Sequence, residues 1–228
     1  TYDIIRKFNH YPFSFEQGID LTKIKTIKLG KIAKFSLGIK TSNDKKFISS
    51  EPFPNNGYKM IRGKSIQRYG YPVSNEWIWY RPDLFMEKAG SGARKLEYFI
   101  IDTKIVIQDI GTEICATIDK NRHLCNDTIN LIYQVDKDYS FEYILGLLNS
   151  KIIRYWHKKV FPEGLHIKKY QLMEIPIADV TYEFQNPIVE LVNKILEEKK
   201  QDPLSDTSLL EREIDKLVYE LYGLTEEE

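Results

Sequence analysis

Between Tyr139 and Trp156 apolar residues recur at spacings of three and four: Phe141, Ile144, Leu145, Leu148, Ile152, Tyr155 and Trp156. That spacing puts them on one face of a single long helix. Ser140 stands where a cap is needed, and Glu142 in the first turn suits the positive end of the helix dipole. The pattern stops in the cationic turn His157-Lys158-Lys159, just before Pro162 and Gly164. A second basic group, His166, Lys168 and Lys169, precedes the apolar run from Met173 to Ile177. A buried helix thus delivers two clusters of positive charge to adjacent loops, an arrangement for holding an anion.

Upstream the pattern is that of strands. Ile24 to Ile39 alternates, with Gly30 and Gly38 as turn signals. Asn55-Asn56-Gly57 is a hairpin turn that leads into a strand from Tyr58 to Ile61. Trp77 to Tyr80 reads as a short strand. Phe99 to Ile110 holds the β-branched run Ile105-Val106-Ile107 of a buried one, and Ile129 to Val135 is the last strand before the helix. Lys40 to Lys46 and Glu87 to Lys95 are loops, and residues 1–22 are aromatic without a period. Downstream, Asn186-Pro187 reads as a cap followed by proline at the first helical position, with Ile188, Leu191, Val192 and Ile195 as the buried stripe. Gln201-Asp202-Pro203 ends that helix. Ser208 to Glu211 has the form of a capping box, and the stripe Leu210, Ile214, Leu217, Val218, Leu221 and Tyr222 closes at Gly223. Two helices joined by a short break predict an antiparallel hairpin.

Composition adds a core and a charge asymmetry. The chain has 228 residues, 42% hydrophobic and 13% aromatic, enough to bury a full core. Its net charge is zero, yet residues 1–180 carry 28 basic and 20 acidic side chains, whereas residues 181–228 carry 5 and 13. A basic body with an acidic tail points to a polyanion surface on the body. Cys115 and Cys125 lack CxxC spacing and a matching His pair, so free thiols in a reducing, cytoplasmic compartment are expected rather than a zinc site. No stretch reaches the roughly 18 uninterrupted apolar residues of a membrane span. The chain starts at Thr1 without a signal-peptide pattern, and Thr225-Glu226-Glu227-Glu228 opens a capping box with no helix after it. Both ends read as cut from a longer protein.

Several constellations bear on chemistry. Gly90-Ser91-Gly92-Ala93-Arg94-Lys95 lacks the spacing of a nucleotide P-loop and reads as a surface loop or an anion contact. Asp83, Asp102 and Lys104 have the acidic, acidic-x-Lys order by which many nucleases hold Mg²⁺ and place a lysine near the attacking water. His10, His123, His157 and His166 show no i, i+4 pairing, and no Ser or Cys is marked as an activated nucleophile. What remains is basic residues interleaved with aromatics and amides. The candidates are Lys40, Lys45 and Lys46, then Arg62, Lys64, Gln67, Arg68 and Tyr69, then Arg94 and Lys95. Arg154, Lys158, Lys159, His166, Lys168 and Lys169 complete them. Nucleic-acid binding needs this mixture, cations for phosphates and Arg, Lys, Gln or Asn for base edges. A solvated charged face would have the same composition.

The segments Lys28-Leu29-Gly30-Lys31-Ile32-Ala33, Gly38-Ile39-Lys40-Thr41, Ile61-Arg62-Gly63-Lys64-Ser65-Ile66 and Lys104-Ile105-Val106 bear on that choice. With them go Leu145-Gly146-Leu147-Leu148-Asn149-Ser150, Ile175-Pro176-Ile177 and Ile214 to Leu224. Over about residues 27–228 the chain resembles the C-terminal specificity, or target recognition, domain of TaqI-like DNA adenine methyltransferases and fused type II restriction–modification enzymes. More distantly it resembles type I specificity subunits. The resemblance implies a parent whose N-terminal half binds S-adenosylmethionine and methylates adenine N6 through an Asn/Asp-Pro-Pro-Tyr/Phe motif. That motif is absent here, since Asn186-Pro187 is followed by Ile188. The piece would then lack methyl-transfer chemistry and cofactor of its own. It would bind double-stranded DNA and pair with the methyltransferase domain of the same polypeptide.

The expected architecture is α+β, or mixed α/β: a twisted β-rich recognition body over residues 1–180, packed on a long helix. A C-terminal helical hairpin over residues 181–228 would pack on that body or on the catalytic domain. Lys158, Lys159, Lys168 and Lys169 are expected on phosphates, with Arg62, Lys64, Gln67, Arg68 and Arg94 nearer the bases. A Mg²⁺-dependent nuclease using Asp83, Asp102 and Lys104, and a protein-interaction module built on the acidic tail, are the alternatives.

Overall fold

Ile105, Val106 and Ile107 are all fully buried, and they face two different cores. A computed structural model describes residues 21, 24–85, 92, 94–162 and 164–224. In chain order it begins with β1 (Thr26–Lys28), α1 (Leu29–Ile32), β2 (Ala33–Leu37), α2 (Asp44–Phe47), β3 (Ile48–Ser49), β4 (Gly57–Ile61) and β5 (Glu76–Trp79). It continues with β6 (Lys104–Gln108), β7 (Ala116–Asp119), β8 (Leu124–Cys125), β9 (Ile129–Val135), α3 (Phe141–Asn149) and α4 (Lys151–Val160). It ends with α5 (Lys169–Met173), β10 (Pro176–Ala178), α6 (Tyr182–Gln201) and α7 (Ser208–Leu221). One antiparallel sheet has the order β2-β9-β6-β7; a second has β3-β5-β4-β8, with β4 and β8 parallel; β1 pairs with β10. The class is mixed α/β, as the strand and helix patterns require.

Alternation along the strands explains the two cores. Ile105, Ile107, Ala116, Ile118 and Ile132 face the helices, while Val106, Ile129 and Leu131 face the second sheet and meet Met60, Ile61, Ile78 and Leu124. A strand buried on both faces loses its polar alternation, which is why Ile105 to Ile107 reads as a continuous apolar run. At the start of β4, Asn56 holds φ +53°, the left-handed conformation expected of an Asn-Gly turn.

The single long helix expected after Tyr139 is two. Ser140 caps α3 by accepting from Tyr143 N at 3.0 Å, and the chain then breaks at Ser150, which is extended at ψ 151° and caps α4 through Ile153 N at 3.4 Å. The break has a purpose. The Asn149 carboxamide donates to Ala116 O at 3.0 Å and accepts from Ala116 N at 3.1 Å, clamping the end of α3 to β7. At Gly146 a Cβ would lie 2.6 Å from Ile188 Cγ2, so glycine there lets α6 lie directly on α3. Tyr155, placed on the apolar face by spacing, is exposed because α4 turns about a different axis.

Two further expectations shift. Helix α6 starts at Tyr182, with Thr181 at the cap position, not at Pro187, which lies inside it. Buried Gln185 secures the extra turn by donating to Asp138 O at 2.8 Å and Val180 O at 3.0 Å. The Ser208–Glu211 capping box does not form. Thr207 takes the cap position, so Ser208 is already the first helical residue, and Glu211 accepts from the Thr207 hydroxyl and pairs with Arg68, each at 3.0 Å. Both helices pack on the body: Asp215 accepts from Lys151 N at 2.8 Å, and the Tyr222 hydroxyl donates to Pro176 O at 2.7 Å while accepting from Ala178 N at 3.2 Å. Gly223, at φ +66°, ends α7 as expected. Residues 1–20 and 225–228 lie outside the described residues, as do the expectations placed on them. Among the described residues no helix is long and apolar enough to cross a membrane.

Replacing Asn149 by Ala strands the buried N–H of Ala116, whose C=O keeps Tyr69 N at 3.1 Å, and should lower stability by about 1–3 kcal/mol. Urea denaturation at unchanged slope would measure it, and a loss below ~0.5 kcal/mol would mean that the clamp is not needed.

Candidate nucleic-acid interface

Asn126-Asp127-Thr128, the turn between β8 and β9, is held by its own side chains: Asn126 Oδ1 accepts from Thr128 Oγ1 at 2.6 Å and from Thr128 N at 3.3 Å. Three basic loops hydrogen-bond to it. In the first, Ile39 N donates to Cys125 O at 2.7 Å and Gly38 N to Ile129 O at 2.9 Å. A Cβ on Gly38 would lie 1.8 Å from Asn126 O, so the Gly38-Ile39-Lys40 loop reaches this position only with glycine. In the second, Asn126 N donates to Ile61 O at 3.1 Å and Gly63 N to Thr128 Oγ1 at 2.8 Å, which seats the 3-10 turn Gly63–Ser65. In the third, Asp109 N donates to Thr128 O at 2.9 Å, and Asp109 O accepts from Ile167 N at 2.6 Å. Lys40, Lys64 and the His166–Lys168 segment therefore radiate from one turn.

Side chains on these loops divide by partner. Lys40, Lys45 and Lys64 are exposed, and no carboxylate among the described residues neutralises them. Lys46 is exposed with its ammonium 5.1 Å from the Phe47 ring centre. Lys40 exchanges backbone bonds with Gly92 at 3.0 and 3.4 Å, which brings Arg94 and Lys95 alongside. Arg94 and Gln67 are exposed; Lys95 pairs loosely with Glu97 at 3.5 Å. Asp109, buried at the end of β6, holds His166 Nδ1 at 2.7 Å and Lys168 Nζ at 3.3 Å. It is an anchor rather than a plain strand-terminal turn, and it offsets part of that loop's charge. Lys158, Lys159 and Lys169 are exposed beside Trp156, Phe161 and Tyr170, with Lys159 5.4 Å from the Tyr155 ring centre. His157 is buried, and burial lowers its pKa, so the last turn of α4 carries two cations at neutral pH and not three.

Four sequence candidates point elsewhere. Arg62 donates to Glu76 at 2.5 Å and to Asp44 at 3.5 Å; the Glu76 bond is the largest cause of its raised pKa, and the side chain braces the turn. Arg68 pairs with Glu211 at 3.0 Å. Tyr69 is buried, and burial pushes its phenol up. Arg154 pairs with Glu113 and donates to Asn149 O at 3.1 Å. Arg68, Tyr69 and Arg154 line a cavity of about 230 Å³ at the seam with α7. The turn at Asn126 and the Asp109 anchor had no sequence signal beyond an isolated polar run between two strands.

Asp83, Asp102 and Lys104 are not brought together as a nuclease site requires. Asp83 binds Arg81 at 2.6 Å and Asp102 binds Arg122 at 2.5 Å, both at the surface. Lys104 is fully buried, donating to Asp119 at 2.5 Å and Phe99 O at 2.7 Å, out of reach of an attacking water. Among the described residues no group of three His, Cys, Asp or Glu side chains could hold a metal ion. Asp119 also accepts from His123 Nδ1 at 2.9 Å. Burial alone would raise its pKa, but the His123 bond and the Lys104 charge outweigh it and hold it at about 2.

Three basic loops are thus fixed to one turn of a mixed α/β body. Residues 58–177 match the model of the TaqI-like C-terminal specificity domain, more than half of the chain, and the chain belongs to that family. It is a target recognition domain of the restriction–modification kind. The fold is shared with the type IIL restriction–modification enzyme MmeI, solved in complex with DNA (11% identity, TM-score 0.57, 92% of this chain and 35% of that one). Also similar are the HsdS subunit from Thermoanaerobacter tengcongensis (15% identity, TM-score 0.47, 93% and 47% covered) and the type I S subunit from M. genitalium (16%, 0.44, 96% and 53%). The chain spans about a third to a half of these chains. No curated protein matches it.

Because the folded pKa of Asp119 lies below the ordinary 3.8, its stabilisation is complete above pH ~4 and is lost as pH falls through about 2; it is worth about 2 kcal/mol. Lys104→Ala should cost ~3–5 kcal/mol at pH 7 by taking the buried cation from a carboxylate left with only His123 and backbone donors, and much less near pH 3, where Asp119 takes a proton instead. Denaturation of both proteins across pH would check this; a cost constant from pH 7 to 3 would show that the pair is not ionised.

Proposed function

We propose that the domain reads a sequence in double-stranded DNA for a methyltransferase that modifies adenine N6, its catalytic half lying N-terminal in the same polypeptide and holding S-adenosylmethionine. Membership of the specificity-domain family supports recognition as the role. The observation that carries the reading is the convergence of three basic loops on the turn at Asn126, which presents Lys40 and Lys64, without a carboxylate partner among the described residues, and Lys168 beside Asp109 from a rigid base. Cations on rigid loops neutralise phosphates and fix register, and neighbouring amides and guanidinium groups read base edges.

In this reading Lys40, Lys45, Lys158, Lys159, Lys168 and Lys169 hold phosphates, and Lys64, Gln67 and Arg94 are nearest the bases. Arg62 and Arg68, engaged by carboxylates, position loops rather than read sequence. The domain supplies recognition and the catalytic half supplies the chemistry; holding the duplex would let that half flip its target base.

Binding of the chain to duplex DNA, measured across a salt series and followed by selection of bound sequences from a random pool, tests this. Lys168→Ala should weaken all sequences alike and reduce the salt slope by about one, whereas Arg94→Ala should cost ~1–3 kcal/mol at one base position. Equal losses on selected and random DNA would remove Arg94 from readout. Duplex affinity unchanged in Lys64→Ala, Lys158→Ala and Lys168→Ala would refute the interface.

A further inference from the structure

The outer face of the β3-β5-β4-β8 sheet is aromatic and cationic, and the basic loops do not use it. Along β4 and β5 Met60 and Ile78 turn into the core, so Lys59 and Trp77 turn outward, while Trp79 packs against Phe47 and Phe53. Lys59 stands opposite Trp77, its ammonium 5.7 Å from the ring centre, and no carboxylate among the described residues neutralises it. Phe53 stacks on Trp79 at 6.1 Å and 17°, and the Arg81 guanidinium lies 5.1 Å over the same ring. Beside Trp77 this face opens into a groove of about 660 Å³, lined by Tyr58, Tyr71, Trp77 and Ile100 together with Lys59 and Arg122. The Tyr71 hydroxyl donates to Asn121 Oδ1 at 3.1 Å, which fixes a ring left 40% exposed.

We propose that this groove binds single-stranded nucleic acid, stacking unpaired bases on Trp77 and Tyr71 while Lys59 holds the backbone and Arg122, tied to Asp102, walls the groove. Aromatic rings interleaved with cations suit a ligand that offers a flat π face and a phosphate on each repeat. A duplex offers no such face, since its bases are stacked on one another. With Arg122 offset by Asp102, Lys59 still leaves the groove net positive, which favours an anionic ligand. The volume suits one or two nucleotides at a time. Strand β4 runs from the groove at Lys59 to the turn at Gly63, so the two surfaces lie at opposite ends of one strand, roughly 13 Å apart. The groove does not depend on the duplex reading.

Titration of the whole chain with octathymidylate, read by tryptophan fluorescence, tests the proposal. The wild type should be quenched, and Trp77→Phe should lose most of the quenching although Trp79 and Trp156 remain. Lys59→Ala, at an exposed position, and Tyr71→Ala should weaken the oligonucleotide roughly tenfold and leave binding of a blunt duplex unchanged. Lys64→Ala should do the reverse. Unchanged thermal transitions would show that the variants are folded. No quenching in the wild type, equal quenching in Trp77→Phe, or loss of octathymidylate only in Lys64→Ala would overturn the groove. Quenching by a proline-rich peptide and not by octathymidylate would also overturn it, and make it a protein-docking site. A wild type that is quenched by octathymidylate but has no affinity for the blunt duplex would count against the duplex interface and support the groove.

Discussion

The central pair β6–β9 must be covered on both sides, and the rest of the molecule follows from that constraint. Helices α3, α4 and α6 cover one face and a second sheet covers the other. The chain passes from the second sheet to the first between β8 and β9, in the three residues Asn126, Asp127 and Thr128. So short a crossing forces the two sheets to meet at one corner. Backbone groups at a corner lack ladder partners and take them from passing loops. Gly38–Ile39, Ile61–Gly63 and Asp109 supply them, and the cations that flank those residues are carried to the same place.

Much of the fold was legible because it is local. Ser140 as a cap, Asn56 in its turn, Gly223 at a helix end and the run Ile105 to Ile107 each act through neighbours in sequence. The misreadings came from distant partners. Asn149 and Ser150 look like ordinary helix residues until Ala116 is placed beside them, and Asn186-Pro187 looks like a helix start until Gln185 finds Asp138 and Val180. The candidate site was half legible: basic loops could be found by composition, but which cations are free could not. Arg62, Arg68 and Arg154 are spent on Glu76, Glu211 and Glu113, carboxylates distant in sequence.

Within the segments that carried the family resemblance, five residues are braces. Gly146 admits α6, Asn149 clamps β7, Gly63 seats a turn on Thr128, Asp215 holds Lys151 N and Tyr222 grips β10. None of them projects into solvent as a reader would. The exposed Lys64, Gln67 and Arg94 stand apart from those five contacts, on the surface of the frame, so they are free to change without cost to the core.

The grip of Tyr222 on Pro176 and Ala178 reaches further. Strand β10 is also the partner of β1, so the first described strand and the last helix close on the same short ribbon, with Ile24 beside Gly223. A polypeptide that enters at one of these points leaves next to it. The described unit is thus fastened at its own seam, one hydroxyl holding its first strand's partner against its last helix.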